Sequence, residues 1–148
     1  MTLQTQLNDA MKEAMKAKDS LRLNAIRLIK TAVKNREIDE RRELGEQEVI
    51  AVLSSLVKQR KESAQVYRDN NRVELAEKEE AELAVIQSFL PAQLDEAGIR
   101  ELIEAAVAET GATSPKDMGK VMKIVSAQTL GRADGKLVSE LVKARLAG

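Results

Sequence analysis

Apolar residues recur at the period of an α-helix along almost the whole of this 148-residue chain. No stretch shows the sustained alternation of apolar and polar residues that a half-buried β-strand requires, whereas spacings of three and four residues between apolar side chains are frequent. The pattern therefore predicts an all-α fold. The expected helices cover about residues 2–17, 19–42, 46–70, 72–89, 95–111, 114–131 and 134–146.

The segment LPAQLDE, residues 90–96, is the one credible domain boundary. Pro91 cannot continue a helix, because its ring fixes φ and it has no backbone N–H, and it biases Leu90 away from helical torsion angles. Asp95 is then placed to cap the next helix. Because a chain of this length can form one ordinary domain or two small ones, we predict a four-helix N-terminal domain, residues 1–90, and a three-helix C-terminal bundle, residues 91–148.

Short-range signals predict where the last two helices begin and end. Ser114-Pro115-Lys116-Asp117 is typical of a helix start, with Ser114 as the cap and Asp117 as the acid of a capping box. Gly131 is placed to be a left-handed C-terminal cap, and Asp134 to cap the following helix. The apolar stripes predict the buried faces of the helices. These faces are expected to include Met15, Leu21, Leu75 and Leu137.

The composition excludes several classes of site. Cysteine and histidine are absent, which removes disulfides, thiol nucleophiles, zinc–thiolate sites and the usual acid or base near neutral pH. Tyr67 and Phe89 are the only aromatic residues, too few for the stacking platforms that hold single-stranded nucleic acid. Because the chain lacks the apolar run of a membrane span or a signal peptide, we expect a cytoplasmic location and no membrane partner. No cofactor is predicted.

Three local patterns resemble sites of chemistry, and each has a simpler interpretation. The pairs Ser54/Lys58 and Ser139/Lys143 lie four residues apart, but nothing indicates the desolvated lysine or oxyanion hole that a Ser–Lys dyad needs. The stretch GRADGK differs from a Walker loop in its glycine spacing and in the residue after the lysine. An acidic run without histidine predicts a solvated face rather than a metal site. It contains Glu77, Glu79, Glu80 and Glu82. We predict no catalytic residue and no metal ligand.

Basic side chains are concentrated towards the C-terminal end. Residues 114–148 hold seven Lys or Arg and three Asp or Glu, a local charge of +4, although the whole chain carries 24 bases and 24 acids. Such a face binds phosphate and sugar rather than base edges, but ordinary solvated helices show the same spacing, so both interpretations stay open here. The candidate RNA contacts are Lys116, Lys120, Lys123, Arg132, Lys136 and Lys143, with Arg27, Lys30 and Lys34 as a secondary surface.

The segment KDMGKVMKIVSAQTLGRADGKLVSELVKARL, residues 116–146, resembles the hallmark of the GatB/YqeY family. Supporting matches are RLIKTAVKNREID at 27–39, VLSSLVKQRKESAQVYRDNNRVELAEKEEAEL at 52–83 and FLPAQL at 89–94. The resemblance covers essentially the whole chain. It implies a two-part helical region similar to the tail of GatB, one component of the glutamine-dependent amidotransferase that acts on misacylated Glu-tRNA(Gln) and Asp-tRNA(Asn).

In that enzyme the resemblance implies a tRNA-contacting appendage, while the kinase-like cradle of GatB and a separate amidase component carry the chemistry. This chain resembles neither catalytic part. A non-catalytic tRNA-binding module is therefore the leading hypothesis, with tRNA as the expected partner. One alternative is an adaptor that docks on a translation-related protein. Another is an accessory to carbon–nitrogen ligase activity with glutamine as amido-N-donor, which is a family-level association.

Overall fold

The computed structural model describes residues 2–148, and within them it contains α-helices, one short 3-10 helix and no β-strand. The prediction of an all-α fold is confirmed. The helices are α1 (Leu3–Ala17), α2 (Ser20–Glu40), α3 (Glu46–Asp69), α4 (Val73–Gln87), α5 (Glu96–Thr110), α6 (Met118–Thr129) and α7 (Gly135–Ala147), and the 3-10 helix is Pro115–Asp117. None of the helices between residues 2 and 148 is both long and apolar enough to cross a membrane.

The chain divides into two compact units, Met1–Leu90 and Pro91–Gly148. In the first unit α1 to α4 enclose one apolar core, in which Ile26, Ile29, Leu53 and Ile86 are fully buried. The turn after Asp69 reverses the chain, so that α3 and α4 pack along each other. Burial of these branched side chains is the main stabilising contribution of this unit.

Two arginines of α3 bind the acidic side chains of α4. The Arg60 Nη1 donates to Glu79 Oε2 at 2.9 Å, and its Nη2 lies 3.4 Å from Glu82 Oε2. Further along the hairpin, Arg68 donates through Nε and Nη2 to the two carboxylate oxygens of Glu80, at 2.7 and 2.8 Å. The prediction of a solvated acidic face is therefore wrong for Glu79 and Glu82, whose side chains are 18% and 15% exposed, whereas Glu80 is 45% exposed and stays solvated. All three pair with bases 12 to 22 residues away in sequence, which helical periodicity does not reveal.

The start of α3 carries a further ion pair, between Arg42 and Glu48. The Arg42 Nη1 donates to Glu48 Oε1 at 2.7 Å, and the same oxygen accepts a hydrogen bond from the Gly45 N–H at 3.2 Å. These two hydrogen bonds, that of Arg42 first, lower the pKa of Glu48 to about 2. The carboxylate thus fixes the loop that leads into the helix.

The second unit packs α5, α6 and α7 around a smaller core whose buried residues include Ile99, Ile103, Val121, Val125, Val138 and Val142. Its predicted helix starts are confirmed, but the predicted Gly131 cap is not. Gly131 has φ +76°, yet α6 ends at Thr129 with Leu130 as its C-cap, so Gly131 is the left-handed residue of the following turn, in which the Arg132 N–H donates to the Thr129 carbonyl oxygen at 2.8 Å. The Asp134 side chain accepts from the Lys136 N–H at 3.2 Å at the start of α7. The helix starts are readable from sequence because each depends on residues two to four positions apart.

Four apolar side chains that the stripes placed inside are exposed: Met15 (52%), Leu21 (40%), Leu75 (41%) and Leu137 (37%). Each lies at the edge of its stripe. On α1 the buried line is Leu3, Leu7, Ala10 and Ala14, and Met15 stands 100° beyond Ala14. Leu137 is likewise one position from the buried Val138. The stripes predicted the centre of each buried face correctly and its width incorrectly.

Candidate nucleic-acid interface

Two of the three acids within residues 114–148 are bound to backbone N–H groups at helix starts. One Asp117 carboxylate oxygen accepts from the N–H of Thr113 at 3.0 Å and of Ser114 at 3.4 Å. The Thr113 bond contributes most to holding the pKa of Asp117 below its ordinary value. Asp134 is occupied in the same way at α7. Both charges therefore serve the helix ends, and they form no close ion pair with the lysines among the described residues.

Five of the six predicted basic contacts of this unit are exposed lysines. They are Lys116 in the 3-10 helix, Lys120 and Lys123 on α6, and Lys136 and Lys143 on α7. Within residues 2–148 none of them forms an ion pair or a side-chain hydrogen bond. Arg145 differs, because it pairs with Glu104 of α5, and that pairing raises the pKa of Arg145. The lysines thus keep their charge available to an external partner.

The outward face of α6 carries no acidic side chain. With 100° between successive residues, Lys120 and Lys123 share this face with Gly119, Ser126 and Ala127, and all five are exposed. The other members of the face have small side chains, so the two ammonium groups project further from the helix than their neighbours do. Helices α6 and α7 pack against each other, and the 3-10 helix contacts both. The fold therefore gathers the lysines of three neighbouring elements within one unit.

The corresponding face of α7 is less basic than the sequence suggested. Lys136 and Lys143 share it, but the exposed Glu140 lies between them, four residues after one and three before the other. Glu140 forms no ion pair with either lysine in the described chain. The helical angles place Glu140 on this face from sequence alone. The acid-free part of the basic surface is thus on α6.

Arg132 is tied to the segment that precedes α5. Its Nε donates to the Ala92 carbonyl oxygen at 3.0 Å, and its own carbonyl accepts from the Leu94 N–H at 2.8 Å. The Gln93 side chain donates to the Gly131 carbonyl at 2.7 Å. No other partner of the Arg132 guanidinium lies among residues 2–148. The Nε–H of this half-buried side chain is thus used in a hydrogen bond within the fold, and the Nη N–H groups have no hydrogen-bond partner among residues 2–148.

The secondary basic surface belongs to the first unit. Arg27 and Lys34 are exposed on α2, whereas Lys30 is half-buried and its Nζ donates to Asn8 Oδ1 of α1 at 2.5 Å. Lys30 and Lys34 line a groove of about 240 Å³ between α1 and α2. Glu37 lines the same groove, and its carboxylate accepts from the Leu44 N–H at 2.9 Å. The three predicted bases do share one helix, but Lys30 has an internal partner.

The described residues contain no arrangement of the two Ser–Lys pairs that would support catalysis. Neither Ser54 and Lys58 nor Ser139 and Lys143 are hydrogen-bonded to each other, and both lysines are exposed. The Ser54 Oγ is buried without a partner. Between residues 2 and 148 there is also no group of three or more acidic side chains that could hold a metal ion.

Comparison with protein families identifies the chain. The family model described as Yqey-like protein matches residues 4–146. The chain belongs to this family. The YqeY domain is related to the C-terminal region of GatB, so the resemblance drawn from residues 116–146 is confirmed at the level of the family.

Several curated relatives of this chain carry the name "altered inheritance of mitochondria protein 41, mitochondrial". The relative from Kluyveromyces lactis is 32% identical over 139 residues, which is 93% of this chain and 72% of the relative. The relative from Vanderwaltozyma polyspora is 42% identical over 85 residues, and that from Lachancea thermotolerans is 40% identical over 85 residues. Both of these alignments cover 57% of this chain and 46% of the relative, so the chain spans about half the length of these two proteins.

The expected cytoplasmic location is wrong by this comparison. The relatives are named as mitochondrial proteins, which points to mitochondria rather than to the cytoplasm. The expectation rested on the absence of an apolar leader, and that absence does not distinguish the two compartments, because mitochondrial targeting segments are amphipathic and basic rather than continuously apolar.

Proposed function

We propose that this Yqey-like protein is a non-catalytic RNA-binding module whose ligand is tRNA. The observation that carries the proposal is the set of five exposed lysines in the second unit, none of which is neutralised within the described chain. The relation of the family to the C-terminal region of GatB, together with the tRNA contact which that resemblance implies, supports tRNA over other anions. Arg132 adds a guanidinium whose unoccupied N–H groups suit a phosphate.

The contacts would be made to phosphate and sugar of a folded RNA. Lys116, Lys120 and Lys123 would form the central part of the contact, and Lys136 and Lys143 its second part. Single-stranded RNA is a poor candidate, because Tyr67 and Phe89 are the only aromatic side chains of the chain and both lie in the first unit. A structured RNA recognised through its backbone geometry fits this composition better.

The secondary surface on α2 would contribute less. Lys30 already donates to Asn8, so a phosphate would have to compete for a partly occupied ammonium group. Arg27 and Lys34 remain exposed and would add long-range attraction. We therefore place the principal contact on residues 91–148.

We also propose that the chain catalyses no reaction by itself. It has neither histidine nor cysteine, and its Ser–Lys pairs do not meet. If it assists carbon–nitrogen ligase activity with glutamine as amido-N-donor, it would do so by holding the tRNA. Glutaminase and transamidation assays on the purified full chain should show no turnover, and measurable turnover would contradict this part of the proposal.

The direct test of RNA binding compares two charge reversals in the full chain. Lys120, Lys123 and Lys136 are changed together to Glu in the site variant, and Lys12, Lys58 and Lys61 in the control. All six side chains are exposed and unpaired in the described chain, so both variants change the net charge equally without breaking an ion pair. Arg132 is left intact, because its replacement would also break the hydrogen bond to Ala92, and a loss of binding could then reflect a loss of structure.

Filter binding at low salt, with a tRNA pool that includes mitochondrial tRNA, should retain the wild-type chain and the control variant and lose the site variant. Equal loss in both variants would mean that only net charge matters and would refute the assignment to residues 91–148. Absence of wild-type binding would refute the RNA-binding function. Capture of a protein partner that survives nuclease treatment would then favour the adaptor.

A further inference from the structure

Gly119 occupies the middle of a basic line on the second unit. Lys116, Gly119 and Lys123 stand at i, i+3 and i+7, the spacing that places residues above one another on a single helical face. All three are exposed, and the 3-10 helix that carries Lys116 runs directly into α6. A phosphodiester backbone that follows both lysines would therefore pass over Gly119.

Nothing inside the described protein accounts for a glycine at this position. A Cβ atom built on Gly119 would meet no heavy atom within 4 Å, and its φ is not in the left-handed region. Glycine inside a helix is destabilising relative to alanine. Gly111 differs, since its φ of +69° gives glycine a conformational role. The glycine at position 119 thus destabilises its helix without a compensating contact inside the described protein.

We propose that Gly119 is the point at which the sugar–phosphate backbone of the RNA comes closest to the protein, with Lys116, Lys120 and Lys123 neutralising the phosphates on either side. This inference rests on the proposed RNA-binding function. Glycine is the residue that lets a ligand approach the main chain closely, because it has no side chain to hold the ligand away. The neighbouring Ser126 and Ala127 have short side chains that would not hold a phosphate away from the helix, and no acidic side chain on this face would repel it.

The proposal predicts that stability and binding change in opposite directions. Gly119→Ala in the full chain should leave the thermal midpoint unchanged or raise it, while tRNA affinity at fixed salt should fall on the order of tenfold. Gly119→Gln should weaken binding further, because it adds a longer side chain without changing the charge. Ala108→Gln on α5 is the matched control, since Ala108 is exposed on another helix of the same unit. It should bind like the wild type.

The possible results separate this inference from the function on which it rests. If the wild type binds tRNA strongly and both Gly119 variants bind it as tightly as the wild type does, the close approach is refuted and the RNA-binding function stands. A clear fall in the thermal midpoint of Gly119→Ala would also refute it, because the glycine would then serve the fold. If the wild type shows no tRNA affinity at low salt, both the function and the inference fail.

Discussion

Replacement of Arg60 by Ala should strongly destabilise the α3–α4 hairpin. The Arg60, Glu79 and Glu82 side chains are only 19%, 18% and 15% exposed. Exposed ion pairs contribute about 0–1 kcal/mol, whereas loss of one partner from a fully buried pair costs about 3–5 kcal/mol. We expect a loss of about 2–3 kcal/mol in the free energy of unfolding, because the variant leaves two poorly solvated carboxylates without their counterion.

Urea denaturation of the full chain, followed by tyrosine fluorescence, measures this loss. Because Tyr67 lies in the first unit, its fluorescence reports the unfolding of that unit. Tyr67 is the only tyrosine, it lies on α3, and the chain has no tryptophan to mask its fluorescence. Arg68→Ala is the control on the same hairpin. The Arg68 and Glu80 side chains are 41% and 45% exposed, so this loss should be much smaller.

The Arg60 Nε is buried without a hydrogen-bond partner, so the charged cluster carries an internal cost. Replacing Arg60 by Met, and Glu79 and Glu82 by Gln, in one variant should therefore be less destabilising than Arg60→Ala alone. Equal urea midpoints for Arg60→Ala and Arg68→Ala would refute this reasoning. They would show that the acidic residues of α4 are solvated, as the sequence alone suggested.

Three smaller predictions follow from local geometry. Arg41→Gly should raise the thermal midpoint by removing a left-handed non-glycine residue, φ +56°, at a gain of about 1 kcal/mol; an unchanged midpoint would contradict it. The pKa of Glu48 is lowered to about 2, so the ionised Glu48 carboxylate contributes its full stabilisation at pH values above its ordinary pKa and loses it as the pH falls towards 2. The difference in free energy of unfolding between the wild type and Glu48→Gln should therefore shrink over that pH range in acid denaturation, and a constant difference would contradict this. Arg132→Gln should speed hydrogen exchange at the Leu94 N–H, measured by NMR, because it removes a neighbouring hydrogen bond worth about 0.5–1.5 kcal/mol; unchanged exchange would mean that the side chain does not hold the segment.

Features of this fold that depend on near neighbours could be predicted from sequence. The Asp117 capping box and the Asp134 cap each join residues two to four positions apart. Two left-handed helix ends were missed, since Lys18 and Arg41 adopt positive φ without the glycine that signals it. The chemical signal for a helix end was absent there, although the conformation was the same.

Features that join distant parts of the chain could not be predicted. Arg60 meets Glu79 across 19 residues, and Arg132 meets Ala92 across 40. Periodicity describes one helix at a time and contains no information about which helices become neighbours. The same limit applied to the candidate interface. The lysines could be identified from sequence. The structure was needed to find that Arg132 has an internal partner and that the space a side chain at position 119 would occupy is empty.

The salt dependence of tRNA affinity tests the central claim most directly. For the wild-type chain the logarithm of the association constant should fall linearly and steeply with the logarithm of salt concentration, because bound lysines release counterions from the RNA. Lys120→Gln and Lys123→Gln should each reduce the slope by about 1, and Lys12→Gln should leave it unchanged. No binding at low salt, or slopes that are the same in all four proteins, would contradict the account.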